Sequence, residues 1–265
     1  ELPPNAFVAG SRQAAAFDRV DALRPGELVL IGVEYGATAA AELDLMTDTL
    51  IRHVLLRGGR PVIISGNPVA LLRTNNLLRT LNEDADFLAR MNATEPLTPN
   101  LDTFVVRYLP GSVLGLRAFS ENTALLILTD IEGQANGLNV DSLDDFALIT
   151  LIAERPEDVR AYAEQIAPLA GSPLIAAVSY SAAPLTEPYA DSPFTIGSPI
   201  AGLLVGYGDA YTYSAMIDSV NAVPRNVIPA LPTPEPTLIQ PTPEPPPVSY
   251  THLRAHETKA NLVCR

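Results

Sequence analysis

Apolar residues in this chain fall into two patterns: short unbroken runs, and longer stretches where they recur every three or four positions. Residues 28–33 (Leu-Val-Leu-Ile-Gly-Val) form such a run, bounded by Pro25-Gly26 and Gly36. Its length and lack of alternation predict a strand buried on both faces, as in a parallel sheet. Behind it, Leu43, Met46, Leu50 and Val54 recur at helical spacing across 38–57, Asp48 can pair with Arg52, and Gly58-Gly59 supplies the stop. Ahead of it, Ser11 can cap a helix running to Leu23. The same unit then repeats. Further strands are predicted at 61–65, 104–108, 124–129, 146–152, 174–179 and 200–205, and helices at about 69–91, 112–119, 156–170 and 209–220. Alternation at this spacing implies right-handed crossovers and a mostly parallel sheet covered on both faces. The expectation is one three-layer α/β domain over 11–222, Rossmann-like or flavodoxin-like with the strand order open, after an irregular segment 1–10.

Composition changes abruptly beyond that domain. From Pro224 to Pro247, ten of 24 residues are proline. Such a segment cannot bury a core and favours the extended polyproline conformation, so 223–247 reads as a semi-rigid linker. It lacks the flanking basic residues of a typical ligand for proline-binding modules. The tail 248–265 holds the only Cys (Cys264), the only Lys (Lys259), and two of the three His. Residues 249–257 and 262–265 resemble the in-frame translation of a transposase-type sequencing adapter, with a variable gap where an index belongs. The tail is therefore excluded from fold reasoning as a fusion scar would be.

Charge narrows the function classes. The chain carries 17 Lys plus Arg against 30 Asp plus Glu, and net charge −13. Setting aside the tail's three basic residues and one acid leaves 14 against 29, and every remaining cation is Arg. A nucleic-acid partner is not expected, because phosphate neutralisation needs the opposite balance. The absence of Cys outside the tail suits an oxidising or a reducing compartment equally. No apolar run approaches 18 residues, so a membrane anchor or signal would lie outside the visible chain, which starts at Glu1.

Ligands of open α/β sheets bind beyond the carboxyl ends of the strands. Candidates there are Glu34, Tyr35, Asn67, Gly111, Ser112 and Ser179, with Glu154 on a neighbouring tip. The dinucleotide fingerprint is missing: Glu34-Tyr35-Gly36-Ala37-Thr38 has one glycine where three are needed. A P-loop would need a Lys, and a nucleophile elbow G-x-S-x-G is absent. His53, near the end of its helix, is expected to face solvent rather than serve as a base. Asp130 and Glu132, spaced i and i+2 after an apolar run, can hold Mg²⁺ or Ca²⁺ with phosphate oxygens; the same pair reads equally as solvated loop charge.

Several segments resemble an α/β domain of membrane-anchored proteins of the Chloroflexota type. They are Tyr108-Leu-Pro-Gly111, Leu143-Asp-Asp-Phe-Ala-Leu-Ile149, Arg155-Pro-Glu-Asp-Val-Arg160, Pro173-Leu-Ile-Ala-Ala-Val-Ser179 and Ala183-Pro-Leu-Thr-Glu-Pro-Tyr189. The likeness runs in order over roughly 11–220; it implies a transmembrane helix outside the visible chain and carries no site residues. Three functions follow as expectations. The first is a non-enzymatic, extracytoplasmic domain that binds a small molecule or an envelope protein and is tethered by the proline-rich stalk. The second is divalent-metal-dependent phosphoryl or glycosyl transfer or hydrolysis around Glu34, Asp130 and Glu132. The third is a scaffold subunit of an envelope complex.

Overall fold

Six of the expected strands form, and all six join one sheet. The computed structural model describes residues 6–190 and 199–231. The strands are β1 (Leu28–Glu34), β2 (Arg60–Ile64), β3 (Phe104–Val105), β4 (Phe146–Ala153), β5 (Leu174–Val178) and β6 (Ile200–Val205). Every pairing is parallel and the order is β3-β2-β1-β4-β5-β6. That order reverses between β1 and β4, which makes the domain Rossmann-like and not flavodoxin-like.

The period-two geometry of a strand explains why the runs are apolar throughout. Val29, Ile31 and Val33 pack on one face with α1 (Arg12–Asp21), α2 (Ala40–Leu56), α3 (Pro68–Asn82) and α4 (Ala85–Arg90). Leu30, Ile149 and Leu151 pack on the other with α5 (Val113–Glu121), α6 (Thr123–Leu126), α7 (Pro156–Gln165) and α8 (Ala183–Thr186). The last helix, α9 (Gly206–Ile217), returns to the first face and packs on α2. As expected, Ser11 caps α1, its Oγ accepting from Ala14 N–H at 3.1 Å.

Three local expectations are corrected. Residues 124–129 do not form a strand: Thr123–Leu126 is a helical turn, with Leu125 68% and Leu128 48% exposed. Ile127 is buried and Leu126 packs partly against the same core, and the chain meets the β3 edge only at its end, antiparallel, where Arg107 N–H donates to Thr129 O and Ile131 N–H to Val105 O. The helix expected across 69–91 breaks at Asp84, whose carboxylate accepts from Phe87 N–H at 3.0 Å and starts α4. His53 is fully buried rather than solvated. Its helix packs beside α1 and α9 on the same face of the sheet, where Nδ1 is 2.8 Å from Tyr213 Oη and Nε2 is 3.4 Å from Asp21. Burial lowers its pKa, against the pull of Asp21.

The packed chain continues into the start of the proline-rich segment. Val223 N–H donates to Leu56 O and Arg225 N–H to Met91 O, while the Arg225 guanidinium holds Asp102 and the carbonyls of Glu95 and Pro96. Arg60 donates to Pro229 O, and Leu231 packs on the second core. This strap crosses the amino-terminal end of the sheet, opposite the strand tips. The rest of the proline-rich segment, expected to be a linker, and the tail lie outside the described residues.

Candidate functional site

Because α2 leaves β1 toward one face and α7 leaves β4 toward the other, a crevice opens beyond the tips of these two strands. A cavity of about 200 Å³ occupies it. Glu34, the last residue of β1, turns its carboxylate into this space and accepts from Gly66 N–H at 2.9 Å. Tyr162 Oη donates to it at 3.4 Å, and Ser65 Oγ lies 3.4 Å away with its proton nearer Val33 O. Burial raises the Glu34 pKa from 4.5 to about 7; the Gly66 N–H opposes that rise and the Asp158 charge adds to it.

The opposite wall comes from the end of β4 and from α7. Glu154 Oε2 accepts from Gly36 N–H at 3.1 Å and from Thr38 Oγ1 at 3.2 Å. These two donors sit in the loop before α2, where a dinucleotide-binding relative of this fold would hold a pyrophosphate. Here the chain's own carboxylate takes that place. Arg155 grips Asp158 through two bonds, at 3.0 and 2.9 Å. Burial raises the Asp158 pKa, and Arg155 opposes it.

Tyr162, one turn further on, is fully buried on the cavity wall, and burial pushes its phenol well above the ordinary 10. Its position depends on Gly32 in β1: a Cβ there would lie 2.2 Å from Tyr162 Oη. On the third side, Ser112 begins α5 with φ 50° and ψ −124°, a backbone conformation that residues other than glycine rarely adopt.

The structure brings Glu34, Asn67 and Ser112 together around one cavity, with Glu154 facing them. Asn67 also caps α3, its Oδ1 accepting from Val69 N–H at 3.0 Å. The other candidates fall elsewhere. Tyr35 points away into the helix layer, buried, with its hydroxyl 2.9 Å from both Asp44 and Thr47. Ser179 is an internal tie, donating to Glu154 O at 3.0 Å. Gly111 stands behind Ser112, and its φ of 102° explains why it is glycine.

Asp130 and Glu132 are not beside Glu34. They line a separate depression past the β3 edge, where Asp130 accepts from Asn100 Nδ2 and Gln134 N–H, both at 2.8 Å. The residues 124–129 that were to carry this pair to a strand tip are not a strand; Asp130 instead meets Val106 in an isolated antiparallel bridge at the β3 edge, away from Glu34. Among the described residues, no group of three or more His, Cys, Asp or Glu is arranged to hold a metal ion.

Arg155, Asp158 and Tyr162 were missed in the sequence. The available signal was the spacing of Asp158 and Tyr162, four apart and so on one face of the helix that follows the switch strand, with Glu154 just before that helix. No family model and no curated protein matches the chain.

Proposed function

We propose that this domain is a non-enzymatic receptor for a small, polar, unphosphorylated molecule held in the cavity between β1 and β4. The occupied anion seat supports this reading most. Gly36 N–H and Thr38 Oγ1 already bind Glu154, and Glu34 and Asp158 stand close by. A phosphate would have to displace the Glu154 carboxylate into a space where Glu34 is partly ionised near pH 7 and Asp158 is paired with Arg155. Each like-charge contact at 4 Å costs about 4 kcal/mol at an effective dielectric constant of about 20. The cavity of about 200 Å³ is also below the roughly 300–1,000 Å³ of common ligand clefts, so it suits a molecule of few heavy atoms. The proline-rich composition of 224–247 supports a tether that holds the receptor clear of a membrane.

Thermal unfolding with a panel of small polyols, amines and nucleotides tests the reading. A ligand of the cavity raises the melting temperature of the native chain and has no effect on Ala161→Leu, whose added methyls enter the space. Stabilisation by nucleotides that persists in Ala161→Leu would overturn it. A carboxyl with a pKa of about 7 also suits general acid–base chemistry. Turnover of a bound ligand, lost in Glu34→Gln while binding persists, would favour an enzyme.

A further inference from the structure

We propose that a second copy of this chain docks on the corner formed by α5, α6 and the loop 107–110, giving a two-fold dimer. The inference goes beyond the receptor reading and does not depend on it. Among the described residues, fifteen large apolar side chains are exposed, and five of them belong to this one corner: Tyr108, Val113, Leu114, Leu125 and Leu128. Exposed leucines scattered singly are ordinary on a protein surface, whereas a group is not. Leu114 is 76% and Leu125 68% exposed. Together the five present roughly 400–500 Å² of apolar surface, in the upper range for the largest patch on a monomer.

Shape points to the occupant. An apolar depression of about 350 Å³ opens between Tyr108, Leu109 and Pro110 of the loop, Gly115 and Ala118 of α5, and Leu126 of α6. Its frame is tight, because a Cβ on Gly115 would lie 2.2 Å from Pro110 O. Leu114 and Leu125 are the chain neighbours of Gly115 and Leu126, so protruding side chains stand beside the hole. A knob and a hole on one face are what a two-fold contact needs, since each copy can fill the other's hole. A small ligand would use only the hole and leave the knobs in water. Two copies joined in this way bury about 1,000 Å² in total, the lower bound of a specific interface.

Charge favours the same face. At net charge −13, two copies repel wherever their acids meet. Residues 103–120 hold Arg107 and Arg117 and no acid. Glu121, the next acid along the chain, is already paired with Arg117 at 2.9 Å. Contact here brings few like charges together, and salt should strengthen it by screening the remainder. An anionic bilayer, the other apolar partner, is repelled by the net charge.

Sedimentation equilibrium of the full chain tests this from about 5 to about 500 μM protein, a range suited to a contact of this size. A thiol reductant keeps Cys264 from cross-linking two chains. The expected result is a reversible monomer–dimer equilibrium that tightens at least about threefold between low and high salt. Leu125→Asp removes the knob and Ala118→Glu puts a charge in the hole, and each should weaken the dimer at least about tenfold. Both positions are exposed, so the circular dichroism melt should not change. Leu72→Asp, on α3 across the sheet and 60% exposed, should leave the dimer intact. A monomer at every concentration would overturn the proposal, as would a dimer indifferent to both corner variants or one lost in Leu72→Asp. Growth beyond the dimer would overturn the two-fold. A monomer that floats with phosphatidylcholine vesicles, and loses that binding in Leu125→Asp, would overturn the second copy and assign the corner to a membrane.

Discussion

Replacing Glu34 by Gln removes a buried charge at the tip of β1 and keeps its shape. The variant should lose less stability with rising pH than the native chain. The amide oxygen, in the place of Oε1, can still accept from Gly66 N–H at 2.9 Å and from Tyr162 Oη, and the amide nitrogen, in the place of Oε2, faces Ser65 Oγ. In the unfolded chain this carboxyl titrates near 4.5; in the fold, burial holds it at about 7. The folded state therefore binds the proton more tightly. Its contribution to stability is complete below pH 4.5 and is lost as pH rises through 7. At 1.36 kcal/mol per pKa unit the loss amounts to about 3 kcal/mol between pH 4.5 and pH 8. Urea unfolding followed by circular dichroism, run on both proteins across that range, measures it as a difference. His53 acts in the opposite sense, since burial lowers its pKa and its contribution is lost on acidification. It is common to both proteins and cancels. The difference should move in the variant's favour by about 3 kcal/mol from pH 4.5 to pH 8. Parallel curves would refute the buried, near-neutral carboxyl.

Ser112→Gly relieves a φ of 50° and should stabilise the domain by about 1 kcal/mol, raising the melting temperature by about 2–4 °C; no rise would mean that the backbone is not strained. Gly32→Ala places a Cβ 2.2 Å from Tyr162 Oη and should cost roughly 1–3 kcal/mol in urea unfolding, with loss of ligand-dependent stabilisation. Arg225→Ala releases the strap from Asp102 and the carbonyls of Glu95 and Pro96. Limited proteolysis should then cut faster within 223–231 at a temperature where the native chain resists; equal rates would show that the strap is held by other contacts.

The sheet was legible because its strands are buried on both faces: a run such as Val29 to Val33 has few alternatives once a helix follows it. Residues 124–128 show the limit of that signal. Ala-Leu-Leu-Ile-Leu has the same composition as a core strand, yet it lies at the edge of a two-residue β3 and buries only one of its large side chains. Composition cannot report whether a partner strand is there. Glu34, Asn67 and Ser112 were found because strand tips converge in any open α/β sheet. Tyr35 follows Glu34 directly but points to the opposite layer, which period-two geometry predicts once the strand is taken through Glu34. Tyr162 and Asp158 are set by the pairing of α7 with β1, 128 residues away for Tyr162 and Glu34, and no local pattern encodes that contact. His53 was misplaced for the same reason: its partners Asp21 and Tyr213 lie 32 and 160 residues distant.

The seat of the ligand is tested most directly by amide chemical-shift mapping on the ¹⁵N-labelled chain, titrated at pH 8 with the member of the polyol, amine and nucleotide panel that raises the melting temperature most. Shifts are expected to cluster on Gly36, Gly66, Asn67, Ser112 and Arg155, which surround the cavity from four separate loops. Shifts confined to the depression around Asn100, Asp130 and Glu132, or an unchanged spectrum at millimolar ligand, would contradict it.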